Sequence, residues 1–429
     1  MRICHIRKLL LYTAVFVLTA AVLTGALLLS ALIPKSAVRD NMLSSAELLC
    51  EHRVFFELQK DIPASKIDRY ADSILLNIAY HYDSEEPLRS VMLSEYYYTD
   101  IQNENDNLRD ALRSQLAANT QYLRYWHGSA ALVIAAHTFT DIGGMYIMNI
   151  AVITLLMIFL LYMLIKRGLY GGALGTLLAL LAAGIWFTGF SLEYSWVFVI
   201  TLIMSVIAVS LVSGDKTELL PPLFLVCGIV TNYLDFLTAE TLTLTFPLLL
   251  TVYIRHEDHV RKNAAFALKN TVLWGAGYAG MWLTKWLLAA LVLGEDVMPY
   301  IGEHISERIG DAGENGAAAY IFGAVRDNIS CLFPLGYGGA GVIAAVILLI
   351  AAAYICFVYR RKGISGAKIL LYAAIGAVPY VRYAVLHNHS YLHYFFTYRA
   401  QAASVLAVCM IIYEITGGYE LGSSKRKHP

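Results

Sequence analysis

The stretch Leu10–Ile33, LLYTAVFVLTAAVLTGALLLSALI, decides the fold class: it runs for 24 residues without a charge, enough for a helix to cross a bilayer. Arg2, Arg7 and Lys8 precede it, and Pro34-Lys35 follow without a small-x-small cleavage pattern. It therefore reads as a retained first transmembrane helix and not as a signal peptide. Working outward, apolar runs recur near Met145–Ile165, Gly168–Phe187, Trp196–Val212, Leu219–Phe236, Leu242–Ile254, Thr271–Leu293, Gly341–Tyr359, Ile369–Leu386 and Ala400–Ile415. The expectation is an all-α integral membrane protein with about ten transmembrane helices.

Composition agrees with that class. Of 429 residues, 58% are hydrophobic and 15% charged, with formal net charge zero. That balance excludes an ordinary soluble domain and leaves no basic stripe for nucleic acid. The six cysteines include no CxxC pair, so no metal knuckle is implied. Cys50 and Cys331 both fall on one expected side of the membrane, where a disulfide can form.

Lys and Arg in the connections set the orientation. Arg2, Arg7 and Lys8 precede helix one, and Lys166-Arg167, Lys216, Arg255 with Arg261 and Lys262, Arg360 to Lys362, and Lys425 to Lys427 follow the even-numbered helices. Both termini are thus expected in the cytoplasm. The chain divides into the first helix with its leading residues (1–33), an extracytoplasmic loop subdomain (34–144), helices two to seven (145–293), a second extracytoplasmic loop (294–340), helices eight to ten (341–416) and a basic tail (417–429). Within the first loop, Ser44–Leu58, Ile67–Ile78 and Asn107–Leu116 have helical apolar spacing. They are expected to lie parallel to the bilayer surface, with Ala130–Thr140 as a short surface or re-entrant piece.

Candidate chemistry clusters near the helix ends. Asp72 suits a general base or metal ligand, and equally a helix N-terminal acid favoured by the macrodipole. Asp235 and Glu240 flank the turn between helices five and six, as functional carboxylates or caps. Lys285 lies deep in helix seven, facing a lipid phosphate or paired with Asp235 or Glu193. Arg382 follows Pro379 and either reaches the same cavity or pairs with Glu193. The run His387–Arg399 is the strongest local anomaly. His389 and His393 have a zinc-compatible i, i+4 spacing but no accompanying HExxH motif; with Arg399 they suit hydrogen bonding to phosphate and sugar, or an interfacial aromatic belt. His127, in Arg124-Tyr125-Trp126-His127-Gly128, can donate to a leaving phosphate, while Tyr125 and Trp126 suit sugar faces or interfacial anchoring. Arg308, Arg326 and Asp327 read as solvated charges. No internal repeat is present.

These features resemble the GT-C superfamily of polytopic glycosyltransferases, in which a first helix precedes a large outer loop that carries an essential acid. Ala71-Asp72-Ser73-Ile74-Leu75-Leu76-Asn77, Arg124–Gly128, Asp235-Phe236-Leu237-Thr238 and the run from His389 to Arg399 are similar to motifs of bacterial multi-spanning membrane proteins. The resemblance implies a bacterial plasma-membrane enzyme that moves a sugar from a polyprenyl-phosphate donor to a cell-envelope acceptor. Membrane lipid and the lipid-linked sugar are its implied partners. Asp72 would be the base, and Lys285, Arg399 and His393 would neutralise the phosphate. The loop lacks a DxD or EE pair: Glu85-Glu86 precedes Pro87, and Asp68 and Asp72 stand a helical turn apart. No protein metal ligand set is therefore assigned, and a divalent cation is the one cofactor left open. A transporter or flippase of a lipid-linked or polar substrate, with Lys285 and Arg382 along its path, and a non-catalytic scaffold are the competing classes.

Overall fold

The structure, a computed structural model, describes residues 2–235, 237–255, 257, 259–294, 297, 299, 302, 316–333, 340–361 and 364–417. Most of the connection 294–340, including Arg308, and Lys362, Lys425, Arg426 and Lys427 lie outside the described residues. Among those described, eight helical segments are long and apolar enough to cross a membrane, and two shorter apolar helices accompany them. The chain is an all-α membrane protein, with one small hairpin among the described residues.

Helix α1 (Arg2–Ala31) leads into α2 (Lys35–Cys50). The expected helix Ser44–Leu58 ends early. After Cys50 the chain turns into β1 (Phe55–Glu57), which pairs antiparallel with β2 (Lys66–Asp68) in the register Phe55↔Asp68, Phe56↔Ile67 and Glu57↔Lys66. The Ser65 hydroxyl closes the hairpin, donating to Ile62 O at 2.7 Å and accepting from Gln59 N at 3.0 Å. Asp68 then caps α3 (Arg69–His81), its carboxylate accepting from Ala71 N at 2.9 Å and satisfying one orphan donor of the first turn. The short α4 (Pro87–Leu93), α5 (Glu104–Ser114) and α6 (Ser129–His137) complete this subdomain.

Its apolar faces turn inward. Ile67, Ile74, Leu75 and Ile78, expected to face the bilayer, are 1%, 6%, 2% and 0% exposed. Ile74, Leu75 and Ile78 sit among α2, α5 and α6, in a cluster continuous with the end of α1 and with Met281 and Ala289 further along the chain, while Ile67 lies on β2. Burying each such side chain stabilises by about 1.5–3 kcal/mol. Three buried aliphatics on α3 are therefore better satisfied by protein than by a surface position.

The remaining helices form the bundle: α7 (Ile142–Lys166), α8 (Tyr170–Ala182), α9 (Leu192–Ser213), α10 (Leu220–Leu234), α11 (Leu242–Ile254) and α12 (Val260–Leu293). They are followed by α13 (Gly316–Ser330), α14 (Ala340–Val358), α15 (Gly366–Gly376), α16 (Val378–Val385), α17 (His387–Leu392), α18 (Tyr394–Thr397) and α19 (Ala402–Thr416). Helix α12 starts at Val260, not Thr271, because Arg261-Lys262-Asn263-Ala264-Ala265 contains no breaker. The expected helix Ile369–Leu386 is split between α15 and α16 at Pro379, which has no N–H to continue the ladder. The tightest crossing joins α10 and α12. A Cβ at Gly228 would strike the Trp274 carbonyl, and one at Gly277 the Leu225 carbonyl, so two glycines admit each other's backbones. Near the tail, Glu414 pairs with Arg361 at 3.1 Å and Lys368 at 3.6 Å.

Candidate functional site

Where the α2–α6 subdomain meets the bundle, a cleft of 340 Å³ opens between three walls. The β2–α3 junction supplies Asp68, Tyr70, Ala71, Ile74 and Leu75, with Phe55 beside them; the segment 122–127 supplies Tyr122, Arg124, Tyr125 and His127; Glu193 from α9 and His389, His393 and Phe396 close it. Three expected site residues, His127, His389 and His393, come together here. Asp72, Lys285, Arg382, Arg399 and Asp235 do not line it.

With Glu193, Asp68 is one of the two acids that line the cleft. The hairpin holds it opposite Phe55, whose ring stacks on Tyr70 at 5.8 Å and meets Phe395 edge-on at 5.6 Å. Burial raises its pKa to about 7, against the lowering effect of the backbone N–H groups of Ala71 and Tyr70. A carboxyl so poised accepts a proton near neutral pH.

Asp72, expected as the base, sits one turn further along α3, behind this wall and 1% exposed. Its Oδ2 accepts from the Tyr146 hydroxyl at 2.6 Å, and its Oδ1 from Leu192 N at 3.0 Å. Leu192 is the first residue of α9, so Asp72 satisfies an orphan N–H of a spanning helix, where negative charge is favoured. The Ser191 hydroxyl adds a bond to Asp68 O at 3.3 Å. This brace fixes α3 against α9 and brings Asp68 and Glu193, the second residue of α9, to one cleft.

Helix α12 builds the second wall from behind. Trp126 Nε1 donates to Met281 O at 2.8 Å and Trp286 Nε1 to Arg124 O at 3.2 Å; Tyr125 meets Trp282 edge-on at 6.0 Å. The Arg124 guanidinium lies over the Tyr122 and Tyr125 rings at 4.5 and 5.3 Å. His127 holds a left-handed backbone with φ 50°, a conformation that costs of order 1–3 kcal/mol. Its Nε2 donates to Tyr122 O at 3.0 Å. Burial and the neighbouring Lys285 lower its pKa to about 3, so it is neutral at physiological pH and offers hydrogen bonding without charge.

Lys285 pairs with neither Asp235 nor Glu193. Its Nζ donates to Val91 O and Met92 O, each at 2.9 Å, at the end of α4, and lies 5.7 Å from the Trp126 ring centre. A cation at a helix C-terminus is electrostatically favoured, and this one ties α12 to the subdomain.

The third wall rests on the remaining expected residues. His389 and His393 approach at 4.7 Å between ring centres, and His393 stacks on Phe396 at 5.1 Å. Arg382 pairs with Glu240 at 2.7 Å, not with Glu193, and donates to the Ser390 hydroxyl at 3.0 Å and to Leu237 O at 2.5 Å. It thereby anchors the residue next to His389. Asp235 accepts from Leu237 N at 3.1 Å and from the Thr238 hydroxyl, capping the α10–α11 turn. Arg399, 1% exposed, lies over the Tyr194 ring at 4.2 Å and donates to Phe395 O at 3.1 Å and Ala64 O at 3.3 Å. It is bound within the wall and does not face the cleft.

Among the described residues no three His, Cys, Asp or Glu side chains are arranged to hold a metal ion. Cys50 and Cys331 are unpaired, with Cys50 Sγ donating to Asp106 at 3.8 Å. Arg326 and Asp327 pair with each other at 2.7 Å.

Asp68 was legible as a helix cap: an acid three residues before Ala71, at the head of an apolar face, marks an N-terminus. Placing the helix start at Ile67 hides that signal and promotes Asp72. Glu193 and Tyr122 carry no local motif, since they reach the cleft only through tertiary packing. No protein-family model, curated protein or solved structure matches the chain.

Proposed function

We propose that the chain is a membrane glycosyltransferase of the GT-C type, which transfers a sugar from a polyprenyl-phosphate-linked donor to a cell-envelope acceptor at the Asp68 cleft. The supporting observation is one cleft, at the junction of subdomain and bundle, that combines two carboxylates, a guanidinium, three histidines and several aromatic rings. Aromatic faces suit sugar rings, and Arg124 suits a phosphate. In this reading, Asp68 removes the acceptor hydroxyl proton as the acceptor oxygen bonds to the anomeric carbon. The bond from that carbon to the phosphate oxygen breaks, and the phosphate leaves with the electron pair beside Arg124. His389 and His393 hydrogen-bond the sugar. Asp72, Lys285, Arg382 and Arg399 position the walls.

The two short helices α8 and α11 count as spans here, giving ten. Both termini then lie in the cytoplasm of a bacterial cell, with the subdomain outside. The activity test uses the purified protein in vesicles supplied with radiolabelled polyprenyl-phosphate sugars and a cell-envelope extract. Label should pass from the lipid phase to an acceptor with the native protein and not with Asp68→Asn. Native protein that moves no more label than empty vesicles overturns the reading.

A further inference from the structure

A second cleft, also of 340 Å³, lies away from Asp68, between α8, α14 and α19. We propose that it binds one acyl chain of a bilayer phospholipid as a fixed part of the folded protein. Its α14 wall includes Leu348, Leu349, Ala352 and Ile355, and its α19 wall includes Val408 and Ile412. On each helix these positions fall three or four residues apart, on one face. The cleft therefore lies between two apolar helix faces. Gly341 is the only buried residue described for α14, a helix of 19 residues.

Chemistry and size identify the occupant. The polar groups in the lining are consumed by protein: Tyr380 Oη donates to Gln401 at 3.0 Å, and Ser404 Oγ to Gly376 O at 2.7 Å. Water would find no partners against the aliphatic walls, and an empty gap would forfeit dispersion contacts on every side. The cleft follows α19 from Ser404 to Ile412, about 12 Å at the helical rise, close to the ~15 Å hydrocarbon depth of one leaflet. Leu348 and Leu349 remain 48% and 56% exposed, so a chain enters sideways from the bilayer. The two clefts share no lining residue, and Cys331, Leu332 and Tyr398 pack in a cluster of their own, with Tyr398 Oη donating to Ala183 O at 3.0 Å. The occupant is thus an ordinary lipid, and the site does not depend on the transferase reading.

The test uses vesicles of phosphatidylethanolamine and phosphatidylglycerol doped with a phospholipid carrying a mid-chain diazirine. Photolysis of the full-length protein should concentrate adducts on the peptides containing 345–355 and 404–412. Ala352→Trp, which fills the cleft, should cut those adducts by about tenfold, while thermal midpoint and gel-filtration profile stay native. Val408→Phe serves as the second variant should that protein misfold. Unlabelled polyprenyl phosphate should not compete. Adducts spread evenly over exposed faces such as α7 and indifferent to both substitutions would overturn the proposal, as would displacement by polyprenyl phosphate.

Discussion

Asp72 Oδ1 accepts a hydrogen bond from the backbone N–H of Leu192 at 3.0 Å, joining an amphipathic helix to the first residue of a spanning helix 120 positions later. Because Glu193 is the next residue and Asp68 lies one turn back, this bond sets the relation between the two carboxylates of the cleft. The acid that the sequence singles out is the strut, and its neighbour faces the opening.

Removing the strut should be costly. Asp72→Ala leaves the Tyr146 hydroxyl and Leu192 N–H buried without their acceptor, each at about 1–3 kcal/mol. The thermal midpoint in detergent should fall accordingly. Asp72→Asn keeps an oxygen for Leu192 and should lose less. A native midpoint for Asp72→Ala would show that the brace contributes nothing.

The Arg382–Glu240 pair should behave as a buried ion pair. Arg382→Leu strands the Glu240 carboxylate, whose Oε2 has no other partner among the described residues, at about 3–5 kcal/mol. Adding Glu240→Leu should restore much of the loss, as measured by thermal unfolding of the single and double variants. Equal instability of both would argue that Ser390 and Leu237, not the charge pair, dominate.

Lys285→Met should lower stability by loosening α4 from α12, with no change in the apparent affinity for a lipid-phosphate donor. Its hydrogen bonds to Val91 O and Met92 O both go to backbone carbonyls. A weakened donor affinity at unchanged stability would return Lys285 to the phosphate role expected from the sequence.

The membrane class and most spans were legible because lipid demands long uninterrupted apolar runs. Leu242–Ile254 matches its helix end to end. The breaks at Pro379 and Cys50, and the hairpin at Phe55–Asp68, depend on local backbone chemistry that hydropathy does not register. In the site, the histidines stood out by composition. Arg399 and Lys285 stood out because a buried cation signals a partner, without saying whether that partner is ligand or carbonyl. Both found carbonyls.

The raised pKa values give opposite pH trends for activity and stability. In the proposed transferase reading Asp68 is a base only when deprotonated, so transfer should rise with pH through about 7. Asp68 and Asp72 are both raised from 3.8 to about 7 by burial, so the folded state binds protons more tightly than the unfolded chain. Their contribution to stability is full below pH 3.8 and is lost as pH rises to about 7. Paired profiles of transfer rate and thermal midpoint check the crossing. A rate that falls over that window would remove Asp68 as base.

The most direct measurement compares transfer by Asp68→Asn and Asp72→Asn in vesicles, with donor binding and thermal midpoint recorded for each. Asp68→Asn should keep donor binding and a native-like midpoint while losing about 10²–10⁴ in rate, the range of a general base. Asp72→Asn should lower the midpoint and keep measurable transfer. Full activity in Asp68→Asn, beside a stable but inactive Asp72→Asn, would contradict the assignment of Asp68 as the base.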